Sequence, residues 1–169
     1  MSHGSEFMVR PANQSDAPAI AAIYNQGIED RVATFEIAPR EWEEIVVALR
    51  DRGDRYPTVV VELASEVAAV AWASPYRPRA CYDGIAEFSV YVERRVRGRG
   101  LGVTAMDGLL DECRARGFWK LVSRVFPENE ASRRLLRKLG FQEVGRYRRH
   151  AQLDGVWRDC VIVELLLDE

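Results

Sequence analysis

Apolar and polar positions recur along this chain with two different periods, and the changes of period mark its elements. Val9 to Pro11 reads as a short strand. Asn13 and Ser15–Asp16 supply helix-capping chemistry ahead of Ile20, Ile23, Tyr24 and Ile28, which recur at helical spacing. Thr34–Phe35–Glu36 is a connector, and a second helix is expected from about Glu41 to Arg50, ended near Gly53. The β-branched run Val59, Val60, Val61 and Leu63, a turn at Ser65–Glu66 and the run Val67 to Trp72 predict an antiparallel hairpin. Ser74–Pro75 and Pro78 predict a loop. Ile85 to Val92 reads as a strand, with Phe88, Val90 and Val92 on one face and Ser89 and Tyr91 on the other.

An arginine- and glycine-rich stretch, Glu93 to Gly102, follows. Val103, Met106, Leu109, Leu110 and Cys113 then sit at helical spacing as far as Gly117. Trp119 to Val125 is a strand. Asn129 to Leu139 is a helix closed by Gly140, and Phe141–Tyr147 and Trp157–Leu167 are strands around a turn at Asp154–Gly155. The order β-α-α-β-β-β-α-β-α-β-β, without linker or repeat, predicts a single α/β or α+β layered domain.

Composition narrows the function classes. The chain's 169 residues suit one domain. A net charge of −2 carries no global basic field, so nucleic acid is not an expected partner. No apolar run approaches the roughly 20 residues of a membrane span, so no membrane partner is expected. Cys81, Cys113 and Cys160 are odd in number and far apart, which excludes a disulfide framework or a CxxC motif and suits a cytoplasmic location. Residues 1–8 read as an expression-tag remnant and start Met, without a signal peptide, leaving residues 9–169 as the domain. His150 is then the only histidine, and with no Cys or His neighbour it gives no metal site.

The chemistry concentrates at Arg97-x-x-Gly100-x-Gly102, between a strand and a helix. Small residues at a helix start let backbone N–H groups approach an anion, and Arg95, Arg97 and Arg99 add full charges, which points to phosphate or pyrophosphate. Gly100-x-Gly102-x-x-Ala105 also matches a degenerate dinucleotide fingerprint. Its distance from the strand and the lack of an acidic residue at the end of the next strand, Ser123–Arg124–Val125, disagree with that reading. No P-loop Gly-Lys-Ser/Thr occurs.

This turn, after Phe88–Val92, resembles the acetyl-CoA pyrophosphate loop of the GNAT N-acetyltransferases. Asn129-x-x-Ser132 followed by Leu139–Gly140–Phe141 is a second matching block. Ser74 to Tyr82, Ala86 to Val92, Thr34–Phe35–Glu36 and Gly155 to Asp159 resemble the phosphinothricin and amino-acid acetyltransferase branch. The resemblance runs from about Val9 to Leu167. It implies a single mixed, mostly antiparallel sheet of about seven strands, splayed at the centre, with helices on both faces. It also implies acetyl-CoA as cosubstrate, a small-molecule amine as acceptor and a homodimer.

By the same resemblance Glu87 is the general base. The bulged backbone N–H near Val90 holds the oxyanion, and the main chain of Val90, Tyr91 and Val92 holds the pantetheine arm. Arg95, Arg97, Gly98, Arg99, Gly100, Leu101 and Gly102 cradle the pyrophosphate, and Asn129 and Ser132 contact the CoA arm. Arg77 and Arg79 flank Pro78 and suit a carboxylate, while Phe35 and Tyr82 wall the acceptor pocket. One departure stands out: the branch often carries His, and other members Tyr, where this chain has Leu136, which has no proton to give the leaving thiolate. Acetylation of a protein or peptide amine, and a non-catalytic acyl-CoA sensor, are the competing readings.

Overall fold

The computed structural model describes residues 7–168. Strand β1 covers Phe7–Pro11. A 3-10 turn, Gln14–Asp16, then leads into helix α1, Ala17–Asp30. Its start follows the local chemistry: Asn13 Oδ1 accepts from Ser15 N–H at 2.9 Å, and Asp16 Oδ2 accepts from Asn13 N–H at 2.8 Å. Helix α2, Trp42–Arg52, ends at Gly53. Strands β2, Thr58–Leu63, and β3, Glu66–Pro75, are joined by Ala64 and Ser65, both at positive φ, as a tight two-residue hairpin turn requires. Strand β4 is Ile85–Val92, α3 is Leu101–Ala115, β5 is Lys120–Val125 and α4 is Glu130–Lys138. Strands β6, Gln142–Leu153, and β7, Val156–Leu166, close the chain.

The seven strands form one sheet in the order β1-β2-β3-β4-β5-β7-β6, and β4–β5 is its parallel pair. Alternation assigns the two faces. Val59 and Val61 join Met106, Leu109 and Leu121 beneath α3, while Val60 and Val70 meet Ile20 and Ile23 of α1. No helix among the described residues is long and apolar enough to cross a membrane.

Three boundaries differ from the sequence reading. The expected loop at Ser74–Pro75 is strand, because β4 offers partners at Glu87 and Ala86, and proline is tolerated at a strand end. β6 runs to Leu153 through an irregularity between Tyr147 and Ala151, with Arg149 at φ 47°. Phe7 and Met8, read as the end of a tag, pair with Leu63 and Glu62; residues 1–6 lie outside the described residues.

The β1–α1 corner is locked by charge. Arg10 donates to both oxygens of buried Asp16, at 2.7 and 2.8 Å, and to Glu62 at 2.9 Å. Hydrogen bonds from Arg10 hold the Asp16 carboxyl below its usual range, against the opposing effect of burial. The folded state therefore favours the carboxylate. Its contribution is complete above the unfolded value, about pH 4, and is lost as pH falls through the folded value. Asp16→Asn is expected to lower stability at pH 7 by about 1–3 kcal/mol and to flatten the loss of stability below pH 4. Denaturant titrations at pH 7, 4 and 3 check both effects.

Candidate active site at the parting of two strands

β4 and β5 pair at only three positions, Ile85↔Lys120, Ala86↔Leu121 and Glu87↔Val122. Each keeps its other neighbour much further: β4 stays registered with β3 as far as Val92, and β5 with β7 as far as Val125. Beyond Glu87 the two strands part. Ser123 Oγ donating to the Phe88 carbonyl at 3.0 Å spans the start of the gap. The gap is a slot of about 80 Å³ between Val90 and Tyr91 on one side and Ser123 and Arg124 on the other, with Asn129, Ser132 and Leu136 behind. A wider cleft, about 340 Å³, opens on the sheet face that Glu87 shares with Val122; Tyr76, Arg77, Arg124 and Tyr147 also line it. Ser123 and Arg124 line both cavities, so slot and cleft meet there.

Glu87 is half-buried, and its Oε1 lies 3.3 Å from Arg124 Nη2. Arg124 Nη1 is in turn 3.3 Å from His150 Nε2, and the His150 ring stacks on Tyr147 at 4.7 Å between centroids. Sequence reasoning missed both Arg124 and His150. Alternation with Val122 was a usable signal for Arg124, but its value depends on how β5 aligns with β4.

The glycine-rich turn begins with a 3-10 turn at Arg94–Val96, where the Glu93 side chain accepts from Arg95 N–H at 2.8 Å. Gly98 and Gly100 lie at φ 79° and 87°, a conformation that favours glycine. Thr104 N–H donates to the Gly100 carbonyl at 3.1 Å. Helix geometry leaves the amides ahead of it, from Leu101 to Val103, without intrahelical acceptors at the positive end of the helix dipole. A Cβ on Gly102 would stand 2.5 Å from Leu135 Cδ1, so the start of α3 packs directly on α4.

The arginines of this turn divide. Arg97 bonds Asp30 at 2.7 Å and the Val92 carbonyl at 3.1 Å, and Arg94 bonds Asp30 at 2.9 Å and Glu29 at 3.1 Å. Burial opposes ionisation of Asp30, yet hydrogen bonds from Arg97 and Arg94 hold its carboxyl below the usual range. Both arginines thus tie the turn to the end of α1. Arg95, 3.2 Å from Glu93, is highly exposed, and Arg99 is exposed beside it.

The remaining site residues spread out. The Tyr91 ring is core: it stacks on Trp72, meets Tyr24 edge-on and occupies space beside Gly27 that a Cβ would need. The side chain of Val92 also packs against the core. Asn129 caps α4 by accepting from Ser132 N–H at 3.1 Å. Arg77 lines the cleft with its guanidinium beside the Tyr76 ring, whereas Arg79 is exposed outside it and precedes a 3-10 turn, Ala80–Tyr82. Tyr82 supports Tyr76 edge-on at 5.5 Å. Phe35 packs on Phe126 at 4.8 Å, beside Leu153 and Cys160, and does not line the cleft. The expected bulge near Val90 is absent: β4 pairs with β3 in unbroken register, so divergence of β5 is what opens the strand. Among the described residues no group of three or more His, Cys, Asp or Glu could hold a metal ion.

Comparison with known proteins agrees with this geometry. Residues 22–141, which include the strand, the glycine-rich turn and the Asn129 block, match the acetyltransferase (GNAT) family. The chain is 35% identical to a phosphinothricin N-acetyltransferase of Streptomyces viridochromogenes, over 89% of this chain and 82% of that one. It is 34% identical to an L-methionine sulfoximine/L-methionine sulfone acetyltransferase of Pseudomonas paraeruginosa, over 95% and 94%. A phosphinothricin acetyltransferase from Sinorhizobium meliloti, solved in complex with acetyl-CoA, superposes with a TM-score of 0.86 at 30% identity, covering 96% of this chain and 89% of that one. The family match over residues 22–141 and these relatives show that this chain belongs to the GNAT acetyltransferase family.

Proposed function

We propose that this chain acetylates the α-amine of a small zwitterionic amino acid or analogue, of the phosphinothricin or methionine sulfoximine type, with acetyl-CoA as donor. The observation that carries this reading is the cleft in which the Glu87 carboxylate and the Arg77 guanidinium stand together, joined to the slot at Ser123 and Arg124. Donor and acceptor then enter from different sides and meet where the strands part.

The pantetheine arm occupies the slot against the main chain of Val90 to Val92, with Asn129 and Ser132 beside it. The pyrophosphate sits on the amides of Gly98 to Gly102, with Arg95 and Arg99 supplying positive charge beside it. Arg77 takes the acceptor's carboxylate as a fork. Glu87, directly or through a water, takes the ammonium proton, because the protonated amine has no lone pair. The amine nitrogen then bonds the thioester carbon. The oxyanion rests on a backbone N–H near Val90. The carbon–sulfur bond breaks, its electron pair leaves with sulfur, and the second amine proton passes to solvent, to which Glu87 also returns the first. Leu136 donates nothing; the Arg124 charge beside the slot offsets the thiolate until solvent protonates it.

The same reading takes residues 9–169 as the catalytic unit, the cytoplasm as its location and a homodimer as its assembled form. The β6–β7 edge suits a dimer contact, because Val144, Tyr147, Val156 and Trp157 are all about half-exposed there.

Thiol release from acetyl-CoA tests the reaction, with phosphinothricin, methionine sulfoximine, natural amino acids and a basic peptide as acceptors. Turnover confined to the peptide contradicts the small-acceptor reading, and acetyl-CoA binding without turnover on any acceptor favours a sensor. Glu87→Gln is expected to lower kcat by about 10²–10⁴ while acetyl-CoA binding is retained. Arg77→Ala is expected to raise the acceptor KM about tenfold and to leave the acetyl-CoA KM near its original value, as initial rates with each substrate varied will show.

A further inference from the structure

A second cavity, about 320 Å³, lies on the same sheet face as Glu87 but shares no lining residue with the Glu87 cleft. Its walls come from α1, α2 and the connector between them, and its floor from Trp72 and Ser74 of β3 and Ser89 of β4. Ser74 is the register partner of Glu87. Ser89 stands two residues further along β4, a step of about 7 Å on the same face. The cavity therefore begins beside the proposed base.

Its charged groups are not equivalent. Arg40 is committed to Glu36 through two hydrogen bonds, at 2.6 and 2.8 Å, and reaches Glu44 at 3.3 Å. Arg52 has no such partner. Its guanidinium lies over the Trp72 ring at 4.9 Å, and Nη1 reaches only the Thr58 hydroxyl, at 3.3 Å. No carboxylate lies within ion-pair distance of it among the described residues. Burial lowers the Arg52 pKa to about 10, which leaves it charged at neutral pH in a site where that charge is poorly compensated. A desolvated guanidinium without a counter-ion is costly, and an anion entering the cavity would relieve that cost. Two serine hydroxyls on the floor supply further donors.

We infer that the Arg52 cavity is an anion subsite that reads the side chain of the acceptor, so that this chain prefers amino acids carrying a second acidic group. The inference rests on the functional reading above. With the amine at Glu87 and the α-carboxylate at Arg77, a side chain two or three carbons long extends along β4 past Ser89 toward Arg52. A distal carboxylate, phosphinate or sulfonate satisfies the guanidinium there, whereas a distal amide leaves it unpaired. The sequence held no mark of this role: Arg52 closes an amphipathic helix whose other arginine in that turn, Arg50, is exposed.

The test compares L-glutamate with L-glutamine, a matched acid and amide, with methionine sulfoximine as reference acceptor. In the unaltered protein kcat/KM for the acid is expected to exceed that for the amide about tenfold or more. In Arg52→Leu this ratio is expected to fall to about one, and in Arg52→Lys, which keeps the charge but loses the fork, to an intermediate value. A ratio near one in the unaltered protein, or a ratio that survives in folded Arg52→Leu, overturns the subsite. Binding of glutarate, followed by tryptophan fluorescence, separates this inference from the reaction itself, since glutarate has no amine. Saturable binding that weakens at least tenfold in Arg52→Leu supports the subsite even if no acceptor turns over. Turnover of methionine sulfoximine without glutarate binding leaves the acetyltransferase reading intact and overturns the subsite alone.

Discussion

The site depends on one conflict of pairing. β4 is held by β3 from Ala86 to Val92, and β5 by β7 along its whole length, while the two hold each other at three positions only. The sheet opens between them without a bulge in β4. The opened edge exposes main-chain groups of β4 that have no strand partner on that side. Buried backbone polar groups demand a partner, and an extended polar arm laid along the edge would supply one, as an added strand would.

Much of the surrounding structure braces that opening. Arg94 and Arg97 tie the glycine-rich turn to Glu29 and Asp30 at the end of α1. Arg31, in a left-handed conformation just past α1, pairs with Asp154 in the β6–β7 turn at 3.1 Å. Phe35, four residues on, is anchored on Phe126 and Cys160. The α1–α2 connector is thereby fastened to the β5–β7–β6 half of the sheet, while the end of α1 is tied to the turn after β4. Arg97, which the sequence reading assigned to phosphate, and its neighbour Arg94 therefore hold the loop in shape.

The sequence exposed elements with strong periodicity and those residues whose backbone geometry is restrictive. β4 from Ile85 to Val92, the Asn129 cap and the left-handed glycines at 98, 100 and 140 are of that kind. β6 was read short because its residues are exposed on both faces and carry no alternation to detect. Phe35 was read as pocket wall, since an aromatic in a connector gives no sign of what it will pack against. Arg124, His150 and Arg52 were not foreseen for a related reason. Their significance lies in neighbours 20 to 37 positions away, such as Glu87 for Arg124 and Trp72 for Arg52, and a register between strands or a helix docking angle decides those contacts.

Hydrogen–deuterium exchange of the protein with and without acetyl-CoA is the most direct test of the parted strands as the donor's seat. The account predicts slowed exchange at Phe88 to Val92 and at Gly98 to Val103 when acetyl-CoA is present, with the β1 and β6 edges unchanged. Protection at the glycine-rich turn but none along β4 would contradict it, because the thioester would then lie outside the gap.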